Sequence, residues 1–377
     1  MVRDLMLAAV PVFFMLIAVE LALGRWRRQS TYRLSDSINS LSLGTLSQVT
    51  GVYTRVLRIG IYTLAFDHVA LGLWPVDAWW AWVAALLFYD FCYYWYHRAS
   101  HRVGMMWANH VVHHSSEEFN LSTALRQPST GALFSWAFYL PMAVAGVPPL
   151  MFAVVALIDL LYQYWVHTRH VGRLGWFDRV FVSPSNHRVH HGLNDAYVDR
   201  NYGGVLIVWD RMFGTYAEER DDEPVVYGSR APLRSWNPLW GVAHVYWALA
   251  RDAWRARRWR DKLQVWLRPP GWRPADVAAA DPRAPFSLAT FSRYDVTVPR
   301  AVQWYAAVQF ALVVIAAVLF GGFQRGAAAG AGLAYLAWIV VSLVSIGALL
   351  EGRRGFFAIE AARLAVAAAA IAWLATQ

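Results

Sequence analysis

The feature that most restricts how this chain can fold is a series of long apolar segments. A helix that crosses a bilayer needs about 20 mostly apolar residues. Segment 131–167 is almost twice that long and is interrupted at Gly146, Pro148 and Pro149, so it predicts a hairpin of two spans. Together the segments predict an all-α integral membrane protein with about eight transmembrane helices, at residues 5–24, 43–66, 78–96, 131–167, 302–320, 331–350 and 357–375.

Two of these segments carry charged residues. Segment 43–66 contains Arg55 and Arg58, and the last segment contains Glu360 and Arg363 one helical turn apart. A charge inside a span is costly unless it is paired, reaches the interface or faces a polar interior. We therefore expect Glu360 and Arg363 to pair with each other.

The composition agrees with a membrane protein, since 58% of the residues are hydrophobic and only 16% are charged. A net charge of +9 is also found in proteins that bind nucleic acid. Here the basic residues lie between apolar segments, where the preference of positive loops for the cytoplasm explains them, so we expect no nucleic-acid partner. The single cysteine, Cys92, excludes an intrachain disulfide and a metal site built from thiolates.

The arginines between the apolar segments predict the orientation of the chain. Arg25, Arg27 and Arg28 follow the first segment, and Arg353 and Arg354 lie between the last two. Because positive loops stay in the cytoplasm, alternating the spans from an outside N-terminus puts all of these arginines on the cytosolic side.

Residues 240–267 interleave Trp, Leu, Val and Tyr with Arg. This pattern predicts an amphipathic helix that lies on the membrane surface. An ordinary surface helix that packs on the rest of the protein explains the pattern equally well.

Eight of the twelve histidines occur in three short clusters. Residues three or four apart share one face of a helix, so each cluster projects two or three imidazoles in one direction. Neutral imidazole binds Zn, Fe, Cu and Ni well, and eight imidazoles are too many for one ion. We therefore predict a dinuclear metal site on the cytosolic side, just beyond the ends of spans. Its predicted ligands are His97, His101, His110, His113, His114, His187, His190 and His191.

The number of imidazoles favours an oxygenase. Two irons can use O2 to attack an unactivated C–H bond, whereas zinc hydrolysis needs fewer ligands and an open position. A site at the membrane–cytosol boundary is accessible to a lipid from the bilayer and to a reductant from the cytosol. A histidine-rich metal transporter or a zinc hydrolase is the alternative, although a transporter would carry its ligands inside the spans.

The sequence around these clusters resembles the fatty acid hydroxylase / sterol desaturase superfamily of integral-membrane diiron enzymes. The resemblance covers roughly residues 80–220 and includes HHSSEEFNLSTALRQ after His110, QYWVHT around His167, PSNH before the third cluster, and DRNYGG followed by WDRMFGT. The first of these segments especially resembles the alkylglycerol monooxygenase-like branch. One departure is Arg102, which follows His101 where other members carry an acidic residue.

The resemblance implies a fold, a chemistry and a further ligand. It implies His167 as a ninth metal ligand, two Fe ions, O2, a membrane lipid as substrate and hydroxylation of a lipid C–H bond. For this branch the carbon lies next to an ether oxygen, and the electron donor is a reduced pterin such as tetrahydrobiopterin; a redox protein is the other option. Hydroxylation or desaturation of a fatty acyl, sterol, carotenoid or aminolipid substrate remains open. The predicted regions are N-terminal membrane spans (1–77), a fatty acid hydroxylase-like catalytic region (78–230), a basic amphipathic cytosolic segment (231–300) and C-terminal membrane spans (301–377).

Several polar residues outside the clusters are further candidates for the site. Asp90 lies about two helical turns before His97 and so shares its face. A carboxylate inside a span is costly, which favours a role in orienting a ligand. His170 is a weaker ligand candidate, and His68 and His244 are expected to be structural or interfacial. The residues predicted to support the reaction are Asp90, Glu117 and Asn201, and those predicted to bind the lipid head group are Asn120 and Arg126.

Overall fold

The computed structural model describes residues 2–323 and 329–374, which form α-helices and loops but no β-strand. Two isolated β-bridges join Phe181 to Leu206 and Gly192 to Tyr227. The prediction of an all-α fold is therefore confirmed for this part of the chain. In chain order the α-helices are α1 (Val2–Trp26), α2 (Leu34–Arg55), α3 (Ile61–Val69), α4 (Trp79–Arg102), α5 (Gly104–His114), α6 (Leu121–Ala124), α7 (Trp136–Val144), α8 (Pro149–Trp165), α9 (Phe177–Val180), α10 (Pro184–His190), α11 (Val208–Met212), α12 (Pro238–Arg255), α13 (Trp259–Leu267), α14 (Ala275–Ala280), α15 (Arg300–Phe323), α16 (Ala329–Leu350) and α17 (Phe357–Leu374). The shorter elements are a π-helical turn (Val56–Gly60) and three 3₁₀ turns (Gly131–Leu133, Leu288–Thr290 and Arg354–Phe356).

Three of the described helices are long and apolar enough to cross a membrane. They are Ala9–Trp26 in α1, Arg300–Gly322 in α15 and Gly330–Leu350 in α16, and they correspond to the first, sixth and seventh predicted spans. Helix α8 is apolar but shorter, at 17 residues. Helix α17 covers the last predicted span except for its final residue, 375, which lies outside the described residues.

The predicted span at residues 43–66 differs from the structure. Helix α2 begins at Leu34, ends at Arg55 and continues through the π-helical turn into α3. Two of its hydroxyl groups bond to its own backbone, because Thr45 and Thr50 each donate to the carbonyl oxygen one turn earlier, over 2.8 and 2.7 Å. Because these hydroxyls are satisfied, the helix can pack its other faces against α15 and α16.

The predicted break in segment 131–167 is confirmed, because α7 ends before Gly146 and α8 begins after it. Gly146 has φ +88°, and a Cβ there would lie 2.0 Å from the carbonyl oxygen of Gly72, so only glycine fits this turn. Helix α7 has 9 residues, or about 14 Å of helix. That is less than half the hydrocarbon thickness of a bilayer, so α7 is too short to span it alone.

Two apolar cores hold the helices around the histidine-bearing segments. The first joins α2, α15 and α16 through residues such as Leu46, Phe310 and Leu343. The second joins α3, α4, α7 and α8, where the rings of Tyr62 and Phe152 stack at 4.0 Å. Helix α5, which carries the second histidine cluster, packs between α4 and α12.

Segment 240–267 forms two helices, α12 and α13, and not the single predicted helix. Both pack against α5, which agrees with the interpretation of this segment as a surface helix that packs on the rest of the protein. Asp252 is buried on this side and accepts a 2.9 Å hydrogen bond from Arg273. Away from it, Trp254 and Trp259 are 84% and 79% exposed. The segment therefore contacts a histidine-bearing helix with one face and presents tryptophans, which favour membrane interfaces, on the other.

The expected ion pair in α17 forms. Arg363 donates from Nε to Glu360 Oε2 over 2.9 Å, and both side chains are buried. The hydroxyl of Ser345 in α16 donates to the same carboxylate oxygen over 2.7 Å. The two charges in this apolar helix therefore pair with each other, and Ser345 links the pair to α16.

Candidate metal centre

Nine histidines from four segments of the chain come together in two groups. Within each group the ligand nitrogens lie within 4.8 Å of one another. All nine predicted ligands fall into these groups, and all are buried except His110, which is partly exposed. The first group contains His97, His101, His110, His114 and His190, and the second contains His113, His167, His187 and His191.

The histidine-bearing helices contribute to both groups. On α5, His110 and His114 belong to the first group, whereas His113 belongs to the second. The third cluster, on α10, divides in the same way, with His190 in the first group and its other two histidines in the second. The rings of His114 and His191 stack at 4.2 Å, so the two groups are direct neighbours.

The hydrogen bonds around the second group leave a position for a cation. His113 Nδ1 donates to the carbonyl oxygen of Arg126 over 3.0 Å, and His167 Nδ1 donates to that of Gln163 over 2.7 Å. Both neutral rings are therefore in the tautomer whose Nε2 carries a lone pair and no proton. These two Nε2 atoms face each other at 3.1 Å, where no proton can bridge them. A metal ion at this position would accept both lone pairs.

In the first group, one imidazole of each close pair has a tautomer fixed in the same way. His97 and His190 donate from Nδ1 to backbone carbonyl oxygens of the 200–202 loop over 2.8 and 2.9 Å. Their Nε2 atoms lie 2.9 Å from His110 Nε2 and 3.1 Å from His114 Nε2, respectively. Two ligands at about 2.1 Å from an ion are about 3.0 Å apart at right angles and about 3.4 Å apart in a tetrahedron. The observed separations are short enough for both nitrogens of each pair to bind one ion.

Burial keeps these imidazoles neutral, the form that binds a metal. Removal from water lowers the pKa of His113 to about 4. Burial also lowers the pKa of His190 and of His191 well below the usual value, and the neighbouring imidazoles lower it further. The donor set therefore fits a pair of transition-metal ions such as iron.

His101 has a carboxylate neighbour from a distant segment. Asp199 Oδ1 lies 3.6 Å from His101 Nδ1, and Arg102 holds the other carboxylate oxygen at 2.6 Å. Asp199 has φ +60°, a left-handed conformation that Asp tolerates better than most residues. His101 Nε2 is buried without a hydrogen-bond partner among the described residues, so it is free to bind an ion. Arg102 occupies the position where an acidic residue is expected, and it orients the carboxylate of Asp199 beside His101.

Asp90 contacts the loop after the third cluster and not an imidazole. Its carboxylate accepts hydrogen bonds from the backbone N–H groups of Val205 and Leu206 over 2.7 and 3.0 Å. It also accepts one from the indole of Trp209 over 2.9 Å. Asp90 therefore fixes the loop that begins with Tyr202, the residue whose carbonyl oxygen binds the first histidine of α4.

Sequence analysis missed Asp159, whose buried carboxylate lies beside Asp90. Asp159 Oδ2 accepts a 2.6 Å hydrogen bond from Gln163, whose carbonyl oxygen binds His167. A Cβ on Gly204 would lie 2.7 Å from Asp159 Oδ1 and 2.9 Å from Asp90 Oδ1. Glycine is therefore the residue that fits where the loop passes between the two carboxylates. The signal was present, because Asp159 lies in an apolar segment about two helical turns before a ligand, as Asp90 does.

Three of the predicted polar residues bond to backbone and not to imidazoles in the described structure. Glu117 accepts a 2.6 Å hydrogen bond from the backbone N–H of Tyr294. Asn120 caps α6 and donates to the carbonyl oxygen of Thr31 over 2.6 Å. Asn201 exchanges hydrogen bonds with the backbone of two other segments. Each of them fixes a loop next to a histidine cluster.

Arg126 is buried, with 1% of its surface exposed. Its carbonyl oxygen binds His113, and its guanidinium donates to the hydroxyl of Ser115 over 2.8 Å. Burial lowers the pKa of Arg126 to about 10. Together with Glu117 and Asp36 it lines a polar cavity of about 10 Å³, enough for one water molecule.

Glu20 is a second residue that sequence analysis missed. It is buried on α1, accepts a 2.8 Å hydrogen bond from the backbone N–H of Leu121, and is bonded by the hydroxyls of Tyr32 and Thr168. Thr168 directly follows the ligand His167, so Glu20 ties the first helix to the metal centre. A lone carboxylate in the first apolar segment was the signal for it.

The remaining histidines lie outside the two groups. His170 Nε2 lies 3.5 Å from the hydroxyl of Thr31. His68 and His244 bond to backbone carbonyl oxygens of their own helices, in keeping with the expected structural role.

Known proteins are similar to the chain over the histidine-bearing region and beyond it. The family model described as Fatty acid hydroxylase matches residues 82–215. An alkylglycerol monooxygenase from Homo sapiens is 36% identical over 364 residues, which cover 93% of this chain and 79% of the relative. One from Danio rerio is 36% identical and covers 94% and 79%. An ornithine lipid hydroxylase from Rhizobium tropici is 32% identical over 51% of this chain and 59% of its own length. No solved structure matches the chain.

Proposed function

We propose that this chain, which belongs to the alkylglycerol monooxygenase family within the fatty acid hydroxylase superfamily, oxidises the carbon next to the ether oxygen of an alkylglycerol lipid. The membership rests on 36% identity across 79% of the human relative and on the matched family model. It makes the chain a lipid monooxygenase, an oxidoreductase that uses O2. The substrate class is taken from the name of these relatives.

The observation that carries the proposal is the pair of histidine groups; in the second group two unprotonated nitrogens, His113 Nε2 and His167 Nε2, face each other at 3.1 Å without a proton to share. We propose one iron ion in each group. Iron accepts imidazole nitrogens and coordination numbers above four, which agrees with the five imidazoles of the first group. When bound, the two irons supply the activation of O2 and the attack on an unactivated C–H bond. The chain's own residues hold and orient the ligands and keep bulk water away from the centre.

The proposed reaction consumes O2, two electrons and two protons for each lipid. One oxygen atom becomes a hydroxyl on the carbon next to the ether oxygen, and the other leaves as water. The hemiacetal then breaks its bond to the ether oxygen, which gives an aldehyde and a free glycerol hydroxyl. A reduced pterin is the proposed two-electron donor.

We propose that the histidine groups face the cytosol in the arrangement of the eight predicted spans, except that α7 is too short to cross the bilayer and forms with α8 a hairpin that enters and leaves on the cytosolic side. Residues 1–77 and 301–377 then supply spans on either side of the catalytic region at 78–230, and the arginine-rich loops share one side. A reporter inserted near Asp221, which is exposed on a loop, should be found in the cytoplasm, whereas one fused after Gln377 should be outside. An external reporter at Asp221 would reverse the orientation.

Turnover of a defined alkylglycerol under ¹⁸O2 tests the reaction. Purified protein in nanodiscs with iron(II) and a reduced pterin should give a labelled aldehyde, trapped by reduction to the alcohol, and unlabelled glycerol. His114→Ala should abolish turnover, because it removes a donor from the first group. The matched control is His68→Ala, which changes an exposed histidine outside both groups. A fatty alcohol without an ¹⁸O label that forms at the same rate without O2, and before any reduction step, would end the oxygenase proposal and favour a hydrolase.

A second candidate is hydroxylation of an aminolipid, which the ornithine lipid hydroxylase among the relatives favours. In that case the alkylglycerol stays intact, and an ornithine lipid gains one oxygen atom in the mass spectrum. A fatty acyl or sterol substrate would likewise gain an oxygen atom or lose two hydrogens. Lipid extracts from cells with and without the protein distinguish these outcomes.

A further inference from the structure

An apolar cavity of about 380 Å³ lies between α1, α2, α8 and α15. Its volume is in the range of small-molecule binding sites. Apolar side chains such as Phe13, Leu161 and Val318 form most of its wall, and Gln48 and Gln127 are among its few polar residues. We call it the chain cavity.

The chain cavity is long and is lined in part by candidate membrane spans. Helix α2 lines it from Leu41 to Val52, which is about 16 Å along the helix axis. An extended hydrocarbon chain advances about 1.3 Å for each carbon, so this length takes about a dozen carbons. Two of its walls, α1 and α15, are candidate membrane spans. A lipid chain can therefore enter between helices without passing through water.

One end of the chain cavity reaches the support of the metal centre. Leu125 and Gln127 line this end, and Arg126 between them holds the ligand His113 through its carbonyl oxygen at 3.0 Å. The guanidinium of Arg126 lines the small polar cavity that also contains Glu117. The apolar cavity thus ends at an arginine that supports the second histidine group, an arrangement that brings one end of a bound alkyl chain close to this group.

We propose that the chain cavity binds the alkyl or acyl chain of the lipid substrate and sets the chain length that the enzyme accepts. This inference rests on the lipid monooxygenase function and not on the ether linkage. The alternative is that any bilayer lipid fills the cavity, whatever its head group. Competition between different lipids distinguishes this alternative from specific binding of the substrate.

Chain-length selectivity provides the first test. Val318 and Leu319 are neighbours on α15 and are both exposed to the bilayer side, at 40% and 62%, but only Val318 lines the cavity. Val318→Trp should shorten the cavity and lower kcat/KM about tenfold for each two methylenes excluded from it, while the shortest substrates and the iron content are unaffected. Leu319→Trp is the matched control and should keep the wild-type profile. A profile that is the same in both variants and the wild type overturns the proposal.

Photolabelling provides a second test that does not need turnover. An alkylglycerol with a diazirine near the chain end should label peptides of α1 and α15, and excess unlabelled alkylglycerol should prevent the labelling whereas phosphatidylcholine should not. Equal competition by phosphatidylcholine, or labels only on helices that do not line the cavity, would refute the chain cavity. If the wild type converts no alkylglycerol, the ether-lipid proposal fails. The same labelling with a fatty acyl or ornithine-lipid probe then tests, independently of that proposal, whether the chain cavity binds the lipid chain.

Discussion

Replacing Asp199 by Asn should weaken metal binding in the first histidine group alone. The change removes the negative charge that lies 3.6 Å from His101 Nδ1 but keeps the shape of the side chain and its tolerance for φ +60°. Removing the hydrogen-bonding partner of a ligating histidine costs roughly 10- to 100-fold in metal affinity. Because 3.6 Å exceeds the usual hydrogen-bond range of about 2.7–3.2 Å, we expect the lower end, about tenfold or about 1.4 kcal/mol.

Competition with a chelator of known affinity, read as iron content per chain, measures this effect. The variant should release one ion about tenfold more readily and keep the other. The melting temperature should change little, since Arg102 is 55% exposed and such ion pairs contribute about 1 kcal/mol or less. Asp195→Asn is the matched control, because Asp195 pairs with Arg230 at the surface. If the Asp199 variant keeps both ions at wild-type affinity, or loosens both alike, the carboxylate is not the partner of His101.

Three further predictions concern the same centre. His190→Ala should empty the first group and His187→Ala the second, so that elemental analysis finds one ion per chain; two ions in either variant would contradict the assignment of the groups. Gly204→Ala should lower the melting temperature, because its Cβ would lie 2.7 and 2.9 Å from the two buried carboxylates and overpacking of this kind costs about 1–3 kcal/mol; an unchanged melting temperature would mean that the loop moves aside freely. The metal-free protein should lose stability as the pH falls from about 6.5, since burial lowers the pKa of His113 to about 4 and the unfolded chain binds this proton at a higher pH than the folded chain. Denaturant unfolding on the two sides of the unperturbed pKa measures the loss, and equal free energies of unfolding would refute it.

The shared direction of the histidines in each cluster was predictable, because their spacing is a local property of one helix. The division of these histidines between two groups was not predictable from the sequence. Steps of three and four residues rotate a side chain by about −60° and +40° around the helix axis, so His113 and His114 point to different sides of His110. Which side meets which group depends on how α5 packs between α4 and α12, and that is a tertiary contact.

The partners of the ligands were harder to predict. Asp90 was selected for its spacing from His97, yet it bonds to a loop more than a hundred residues away in sequence. Asp199 reaches His101 only because the fold brings the third cluster to α4. Spacing along the chain carries no information about such contacts, whereas a carboxylate in an apolar segment does signal a buried partner, as Glu20 illustrates.

Three of the predicted spans coincide with long apolar helices, whereas segments 43–66 and 131–144 form shorter or irregular elements. The hydropathy of a segment indicates that it is removed from water, but it does not indicate whether lipid or protein surrounds it. Helix α7 and the π-helical turn before α3 lie in segments that are apolar enough, yet they are short or irregular, because α3 and α7 pack against each other. Protein neighbours can satisfy irregular backbone that lipid cannot.

The hydrogen bonds of Glu20 connect the metal centre mechanically to the bilayer. Helix α1 is a candidate span, and Glu20 fastens it to Leu121 and to Thr168, next to the ligand His167. A bilayer that does not match the apolar length of a helix tilts that helix, and here a tilt pulls directly on a segment that carries a ligand. Turnover should therefore vary with the thickness of the surrounding phospholipid bilayer at constant substrate. Glu20→Gln, which keeps the size of the side chain and weakens its bonds, should flatten that dependence in nanodiscs of graded thickness, and the enzyme would then no longer respond to the thickness of its membrane.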